Sequence, residues 1–193
     1  MKYVSLDIET TCLDPKPSNI LGLSMVVEDS DHPEVAVEDL PHLTVIIDQP
    51  VITGQAYALG LNGWILDFIS GRSKNCPYKI IKPSELHYEV GCFLRAQFPD
   101  RVFKTETNVY YAKKRLTLAG KNVASFDYQF LPDDVKLFFA HRMIDPGSVM
   151  INWNLAVPPS LGELLKVVGI DKEVSHDMLD DARDVIRVLR ATY

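Results

Sequence analysis

The amino-acid sequence predicts a mixed α/β fold, in which an antiparallel three-strand meander precedes alternating strands and helices that flank the sheet. Val4, Leu6 and Ile8 alternate with other residues at the period of a β-strand. Two further β-rich runs, 20–27 and 43–47, follow with no helical pattern between them, which favours a meander. In the second half of the chain, segments with helical spacing alternate with short strand candidates, as in mixed α/β domains.

Local start and stop signals define the remaining elements. The segment 14–19 contains two prolines and indicates a turn, while Ser84 is a candidate helix N-cap and Pro99 ends that helix. Ser160 and Gly169 bound another helix in the same way. We therefore expect, in chain order, helices over 55–70 and 84–98, a strand over 117–122, a helix reaching residue 139, a strand over 142–145, and helices over 160–169 and from 177 to the C-terminus.

The composition fits a folded domain outside the membrane. Apolar residues make up 47% of the 193 residues, an ordinary level for a globular protein. The sequence contains no apolar run of membrane-spanning length, and the N-terminus turns acidic at Asp7, unlike a signal peptide. Cys12, Cys76 and Cys92 are widely spaced and suggest neither a disulfide framework nor a zinc site. We expect a cytoplasmic protein that forms a single domain over residues 1–193.

The net charge of −6 limits the ways in which this chain could contact nucleic acid. Proteins that bind nucleic acid mainly through phosphates are usually basic, so the charge counts against a non-specific binding module. It does not count against an enzyme whose carboxylates hold metal ions, because the ions then supply the positive charge.

A pair of carboxylates marks the end of the first predicted strand. Asp7 and Glu9 are two residues apart, so both side chains point to the same face. Two like charges this close repel each other unless a cation compensates them, and Mg²⁺ and Mn²⁺ favour oxygen ligands. The alternative is a solvated strand end, and the pair alone does not decide between the two.

The last predicted helix carries another candidate carboxylate. At about 100° per residue, Asp181 falls on the border of the apolar stripe, whereas Asp180 and Asp184 are expected to face solvent. His176 precedes the helix and could accept a proton from a water near Asp181, or could simply be a surface histidine. The stripe consists of Met178, Leu179, Ala182, Val185, Ile186 and Leu189.

A fourth carboxylate lies between these two regions. Asp127 starts a helical stretch in which Phe126, Phe130 and Leu131 are expected to face the core. A carboxylate at a helix N-terminus can also act simply as a cap, so this position is ambiguous by itself.

Together, the three pieces resemble the DEDDh exonucleases of the ribonuclease H-like superfamily, the group that contains the proofreading subunits of bacterial replicative polymerases. That family has a DxET motif near the N-terminus, an Asn followed by Phe-Asp in the middle, and HxxxxDA near the C-terminus. The corresponding segments here are 7–10, 122–127 and 176–182, and their order and spacing agree. A sister group with a catalytic tyrosine would need Tyr at position 177, which is Asp.

The resemblance implies a ribonuclease H-like mixed sheet and a 3′–5′ exonuclease activity. Such an enzyme hydrolyses phosphodiester bonds at a single-stranded or frayed 3′ end of DNA or RNA and releases nucleoside 5′-monophosphates. Two divalent cations, Mg²⁺ or Mn²⁺, take part in a two-metal-ion mechanism. The implied roles are metal binding by Asp7, Glu9, Asp127 and Asp181, general base by His176, and substrate binding by Thr10, Leu13 and Asn122.

Trp64 is a further candidate for substrate binding. It lies in the predicted helix over 55–70 and could stack on a base near the site. A core aromatic in an apolar helix is the alternative, and the spacing fits both.

Two other functions are possible on the same fold. The pairing of His176 with Asp181 speaks against a ribonuclease H-type endonuclease. A catalytically weak nucleic-acid-binding or regulatory module would be expected to have lost a carboxylate, and the sequence retains all four.

Overall fold

Three antiparallel strands open the chain. The computed structural model describes residues 1–15 and 19–193. Strands β1 (Lys2–Thr10), β2 (Ile20–Asp29) and β3 (His42–Ile47) form an antiparallel meander, which confirms the prediction. Part of the predicted turn over 14–19, namely residues 16–18, lies outside the described residues.

Two short parallel strands complete a five-stranded sheet. Strand β4 (Lys79–Ile81) pairs with β3, and β7 (Leu118–Ala119) pairs with β1, which gives the order β4-β3-β2-β1-β7. Strand β4 was not predicted because it is a three-residue edge strand inside a turn-rich connector. A separate hairpin of β5 (Val102–Lys104) and β6 (Tyr110–Ala112) was also not predicted.

Two predicted strands are shorter in the structure. The strand expected over 117–122 is limited to β7, because the chain leaves the sheet after Ala119 and turns through Asn122, where φ is 56°. The strand expected over 142–145 was wrong: Ile144 forms only an isolated parallel bridge with Ala119. The chain turns immediately afterwards into a short helix that starts with Pro146.

Helices cover both faces of the sheet, and two predicted helices are interrupted. The helix expected over 55–70 is broken at Asn62, and the helix expected to reach residue 139 is broken at Pro132, which lacks a backbone N–H donor. The helix expected from Ser84 begins with a 3₁₀ turn. The α-helices are α1 (Ala56–Leu61), α2 (Gly63–Ile69), α3 (Leu86–Gln97), α4 (Asp127–Phe130), α5 (Asp133–Lys136), α6 (Pro146–Val149), α7 (Leu161–Val167) and α8 (Met178–Arg190).

The hydrophobic core has two main parts, one on each face of the sheet. Val4, Leu6 and Ile8 pack with residues of α3 and α5, while Tyr3 and Val26 pack on the opposite face with α7 and α8. This confirms the alternation predicted for β1. Within the described residues, no helix has the length and apolar character needed to cross a membrane.

Close packing places the start of α8 against the sheet. The helix packs on β1 and β2, and the Ser5 hydroxyl donates a 2.8 Å hydrogen bond to the carbonyl of Ala182. A Cβ atom at Gly22 would lie 2.5 Å from the Met178 sulfur, so glycine at this point lets the Met178 side chain pack directly against β2. The first turn of α8 therefore reaches the end of β1, where two of the predicted carboxylates lie.

Candidate active site

A cavity of about 300 Å³ lies where the end of β1 meets α1 and the segment that leads into α8. It brings together residues that are far apart in the sequence, because β1 and α8 are adjacent in the fold. Of the residues predicted to form the site, the cavity is lined by Asp7, Glu9, Thr10, Leu13, His176 and Asp181.

Asp127 lies beside this cavity. Its side chain is almost completely buried, and its Oδ1 accepts a 3.2 Å hydrogen bond from the backbone N–H of Ile8. Phe126 is the N-cap of α4, so Asp127 follows the cap position and its carboxylate is directed to β1. The Asp127 carboxylate is close enough to that of Asp7 for their charges to interact.

The four carboxylates have raised pKa values, and burial is the main cause for each. Burial, followed by the charges of the neighbouring carboxylates, raises the pKa of Asp7 well above its ordinary value. Burial raises the pKa of Glu9 and of Asp127 to about 7 and that of Asp181 to about 6. Near neutral pH, full ionisation of the site is therefore unfavourable, because neither solvent nor the surrounding side chains compensate the negative charge well.

This electrostatic situation predicts a pH-dependent stability of the metal-free protein. The folded-state pKa values of Glu9, Asp127 and Asp181 lie above their ordinary values, so their stabilising contribution is complete at low pH. It is lost as the pH rises from about 4 to about 7. In EDTA, the Tm is expected to fall by several degrees between pH 5 and pH 7.5, and excess Mg²⁺ should reverse most of the fall. A Tm in EDTA that rose across this interval would contradict the prediction.

The start of α8 is organised around Asp177 and Asp181. The Asp177 side chain caps the helix by accepting hydrogen bonds from the N–H groups of Leu179 and Asp180, and the Tyr78 hydroxyl donates a 2.8 Å hydrogen bond to it. Asp181 is 6% exposed and borders the cavity. Its position at the edge of the apolar stripe is as predicted.

The expectation that Asp180 and Asp184 face solvent was wrong for Asp184. Asp184 is completely buried and forms ion pairs with Lys172, at 2.8 Å, and with Arg187. Asp180 is only partly exposed and binds the same lysine. The helical wheel placed both outside the apolar stripe, but the segment between α7 and α8 folds over that side of the helix.

The buried ion pair predicts a large difference between two neighbouring aspartates. Asp184→Ala leaves Lys172 and Arg187 without their shared buried anion, and we expect it to lower the free energy of unfolding by about 3–5 kcal/mol. Asp180→Ala, at a partly exposed position, should cost less than about 1 kcal/mol. Urea denaturation of both variants measures the difference, and equal losses would disprove it.

His176 lies at the cavity, immediately before the cap of α8. It is exposed, and its charged form would lower the pKa of the neighbouring Asp181. Its φ of 53° places the backbone in the left-handed region, which non-glycine residues rarely adopt. Both His176 and Asp181 line the cavity.

The structure does not bring two predicted substrate-binding residues to this cavity. Asn122 borders a different depression, and its side-chain oxygen accepts a 2.8 Å hydrogen bond from Lys121. Trp64 packs edge-on against Phe68 and Tyr78. This packing favours the interpretation of Trp64 as a core aromatic over a base-stacking role.

Sequence reasoning missed Asn62 as a site residue. It is 2% exposed at the break between α1 and α2, and its amide donates a 3.1 Å hydrogen bond to the carbonyl of Thr10. Its side chain also partly offsets the effect of burial on the pKa of Glu9. The available signal was a polar residue between Gly60 and Gly63 in an otherwise apolar segment. Asn62 thus fixes the end of β1 at the cavity.

The chemistry of the side chains fits hard divalent cations. In the part of the chain that the structure describes, no three His, Cys, Asp or Glu side chains form a cluster with metal-binding geometry. The site suits a divalent cation because four carboxylates lie in or beside one cavity. A bound cation would relieve the repulsion between these carboxylates.

The fold is similar to that of E. coli exonuclease I. The complex of that protein with a 5cy-dT13 oligonucleotide has a TM-score of 0.58 at 14% identity, and the complex with dA16 has 0.60 at 14%. Each match covers 98% of this chain and 40% of the other. The zinc-bound form of the complex with single-stranded DNA has 0.60 at 16%, covering 98% of this chain and 39% of the other. No family model and no curated protein matches the chain.

At these identities, the similarity shows the fold alone. The five-stranded mixed sheet flanked by helices is the predicted ribonuclease H-like fold, which is thereby confirmed. The chain spans about 40% of the length of exonuclease I.

Proposed function

We propose that this protein is a metal-dependent 3′–5′ exonuclease of the DEDDh type. The observation that carries the proposal is the common cavity of Asp7, Glu9, His176 and Asp181, with Asp127 buried beside it. These are the positions at which the sequence resembles the family motifs. In this proposal, residues 1–193 act as a single exonuclease domain.

The four carboxylates would hold two divalent cations, Mg²⁺ or Mn²⁺. When bound, these ions supply the positive charge that clamps the scissile phosphate and activates a water molecule. The raised pKa values of Glu9, Asp127 and Asp181 agree with a site that is adapted to a cation. The zinc-bound form of exonuclease I, which has a similar fold, supports the same class of cofactor.

His176 would act as the general base. Its imidazole accepts a proton from the attacking water, whose oxygen bonds to the phosphorus of the terminal nucleotide. The bond from that phosphorus to the 3′ oxygen of the preceding nucleotide breaks, and the 3′ oxygen takes up a proton from solvent to become the new 3′ hydroxyl. The products are a nucleoside 5′-monophosphate and a chain shortened by one nucleotide. The position of His176 at the cavity, beside Asp181, supports this assignment.

Thr10 and Leu13 would contact the terminal nucleotide. Thr10 is buried, and its hydroxyl donates a 2.9 Å hydrogen bond to the carbonyl of Cys12, which stabilises the turn after β1. Leu13 lines the cavity and is 72% exposed, so its side chain is available to pack against a base or sugar. The substrate would be a single-stranded or frayed 3′ end of DNA or RNA, and exonuclease I, with a similar fold, was solved with single-stranded DNA.

Digestion of end-labelled oligonucleotides tests the proposal. DNA and RNA substrates, single- and double-stranded, are offered with a free 3′ hydroxyl or with a blocked 3′ end. We expect mononucleotides from free 3′ ends in Mg²⁺ or Mn²⁺ and no products in excess EDTA, because the carboxylates need cations to bind phosphate. Internal cleavage, or activity that survives EDTA, would refute the proposal. Binding of 3′ ends without cleavage would favour the catalytically weak nucleic-acid-binding or regulatory module.

A further inference from the structure

The segment between α7 and α8 carries His176 to the cavity in an unusual backbone conformation. Gly169, with a φ of 82°, ends α7, and Ile170 and Val174 then pack against the hydrophobic core. His176 itself has a φ of 53°. Such a conformation costs free energy in a non-glycine residue and persists only where the surrounding contacts maintain it. The contacts of this segment therefore determine where the imidazole lies.

Lys172 provides two charged contacts from this segment to α8. Its Nζ lies 2.6 Å from Oδ2 of Asp180 and 2.8 Å from Oδ2 of Asp184. Asp184 is completely buried, and Arg187 also pairs with it. One ammonium group thus joins the segment to two successive turns of α8.

A hydroxyl group adds a second connection next to the histidine. The Ser175 Oγ lies 3.0 Å from Oδ2 of Asp180 and 3.5 Å from Oδ1 of Asp181. Asp180 therefore receives both the Lys172 ammonium and the Ser175 hydroxyl. Lys172 and Ser175 therefore connect the four residues before His176 to α8.

We propose that Lys172 is a positioning residue for His176, a role that rests on the proposed exonuclease function. Asp181, Asp180 and Asp184 belong to the same rigid helix, so an ion pair from Lys172 to that helix fixes the segment relative to the Asp181 carboxylate. Lys172 does not line the cavity and acts through the histidine. Its loss displaces the imidazole while the carboxylates on β1 and α8 keep their places.

Lys172→Met tests this role, with Lys166→Met as the matched control on the exposed side of α7. A displacement of the order of 1 Å in a catalytic group can cost about 100-fold in rate. We expect Lys172→Met to lower kcat by about 10–100-fold with KM changed less than about twofold. Lys166→Met should behave as wild type, and Lys172→Arg should regain most of the kcat because it retains the charge.

A double-mutant cycle with His176→Ala separates positioning from a general structural effect. If Lys172 acts through His176, adding Lys172→Met to His176→Ala should leave kcat unchanged within about twofold. Losses that multiply, or a Lys172→Met enzyme with wild-type kcat, would overturn the inference. If Lys172→Met does not fold, Lys172→Gln replaces it in the same cycle. Lys172→Gln should then lower kcat in the wild-type background but not in the His176→Ala background. A His176→Ala variant with wild-type turnover would instead remove the general-base assignment, on which the role of Lys172 depends, and would leave the proposed cation ligands untouched.

Discussion

Asp7→Asn is expected to stabilise the metal-free protein and, at the same time, to abolish the proposed exonuclease activity. The Asp7 carboxylate is surrounded by the charges of Asp127, Glu9 and Asp181, and burial together with these charges raises its pKa. A neutral amide removes the repulsion, so the Tm in EDTA should rise by several degrees. The same change removes a proposed cation ligand, and since metal charge stabilises the transition state by several kcal/mol, turnover should fall by at least about a thousandfold.

The two opposite effects make the experiment informative. Differential scanning fluorimetry in EDTA measures stability, and mononucleotide release in Mg²⁺ measures activity. Asp133→Asn is a suitable control because that carboxylate is fully exposed on α5 and should change neither quantity. An Asp7→Asn protein that lost stability in EDTA would show that the carboxylate serves the fold, and one that retained turnover would exclude Asp7 as a ligand.

His176→Ala is expected to lower kcat by at least about a hundredfold, since a positioned general base contributes about 10²–10⁴-fold to rate. Affinity for the 3′ end and for the cation should stay within about twofold of wild type, because His176 has no ligand role in the proposed mechanism. His176 is exposed, so the Tm should hardly change. Single-turnover kinetics with saturating enzyme isolate the chemical step, and fluorescence anisotropy measures binding.

His32→Ala provides the matched control for this prediction. His32 is also exposed and pairs with Glu34 in the turn after β2, and it does not line the cavity. We expect wild-type turnover for His32→Ala. Wild-type turnover for His176→Ala would remove the general-base assignment but leave the cation ligands untouched, so this experiment and the Asp7→Asn experiment test separate parts of the mechanism.

The interrupted helices show where sequence patterns have limited power. Apolar spacing over 55–70 correctly predicted helical structure but not the break at Asn62, because the break is stabilised by a hydrogen bond to Thr10 on another element. Similarly, the three residues of β4 form a strand by pairing with β3, which is distant in the sequence. Patterns within one segment do not contain these distant partners.

The sequence patterns by themselves determined the mixed α/β fold class and the position of Asp181 at the border of the apolar stripe, and the motif resemblance implied the ribonuclease H-like sheet. The period of a strand or helix sets the face of that element to which each side chain points, so these patterns can be recognised within one segment of the sequence. Motif order along the chain was sufficient to propose the four carboxylates and His176.

Only the tertiary structure decided which of these groups meet and what supports them. Asn122 and Trp64 were placed away from the cavity, and Asp184 was buried with Lys172 and Arg187. The reason is physical: the environment of a polar side chain depends on groups from other elements that fold over it. The burial that raises the carboxylate pKa values has the same origin, because β1, α4 and α8 exclude water from the site only when they are packed together.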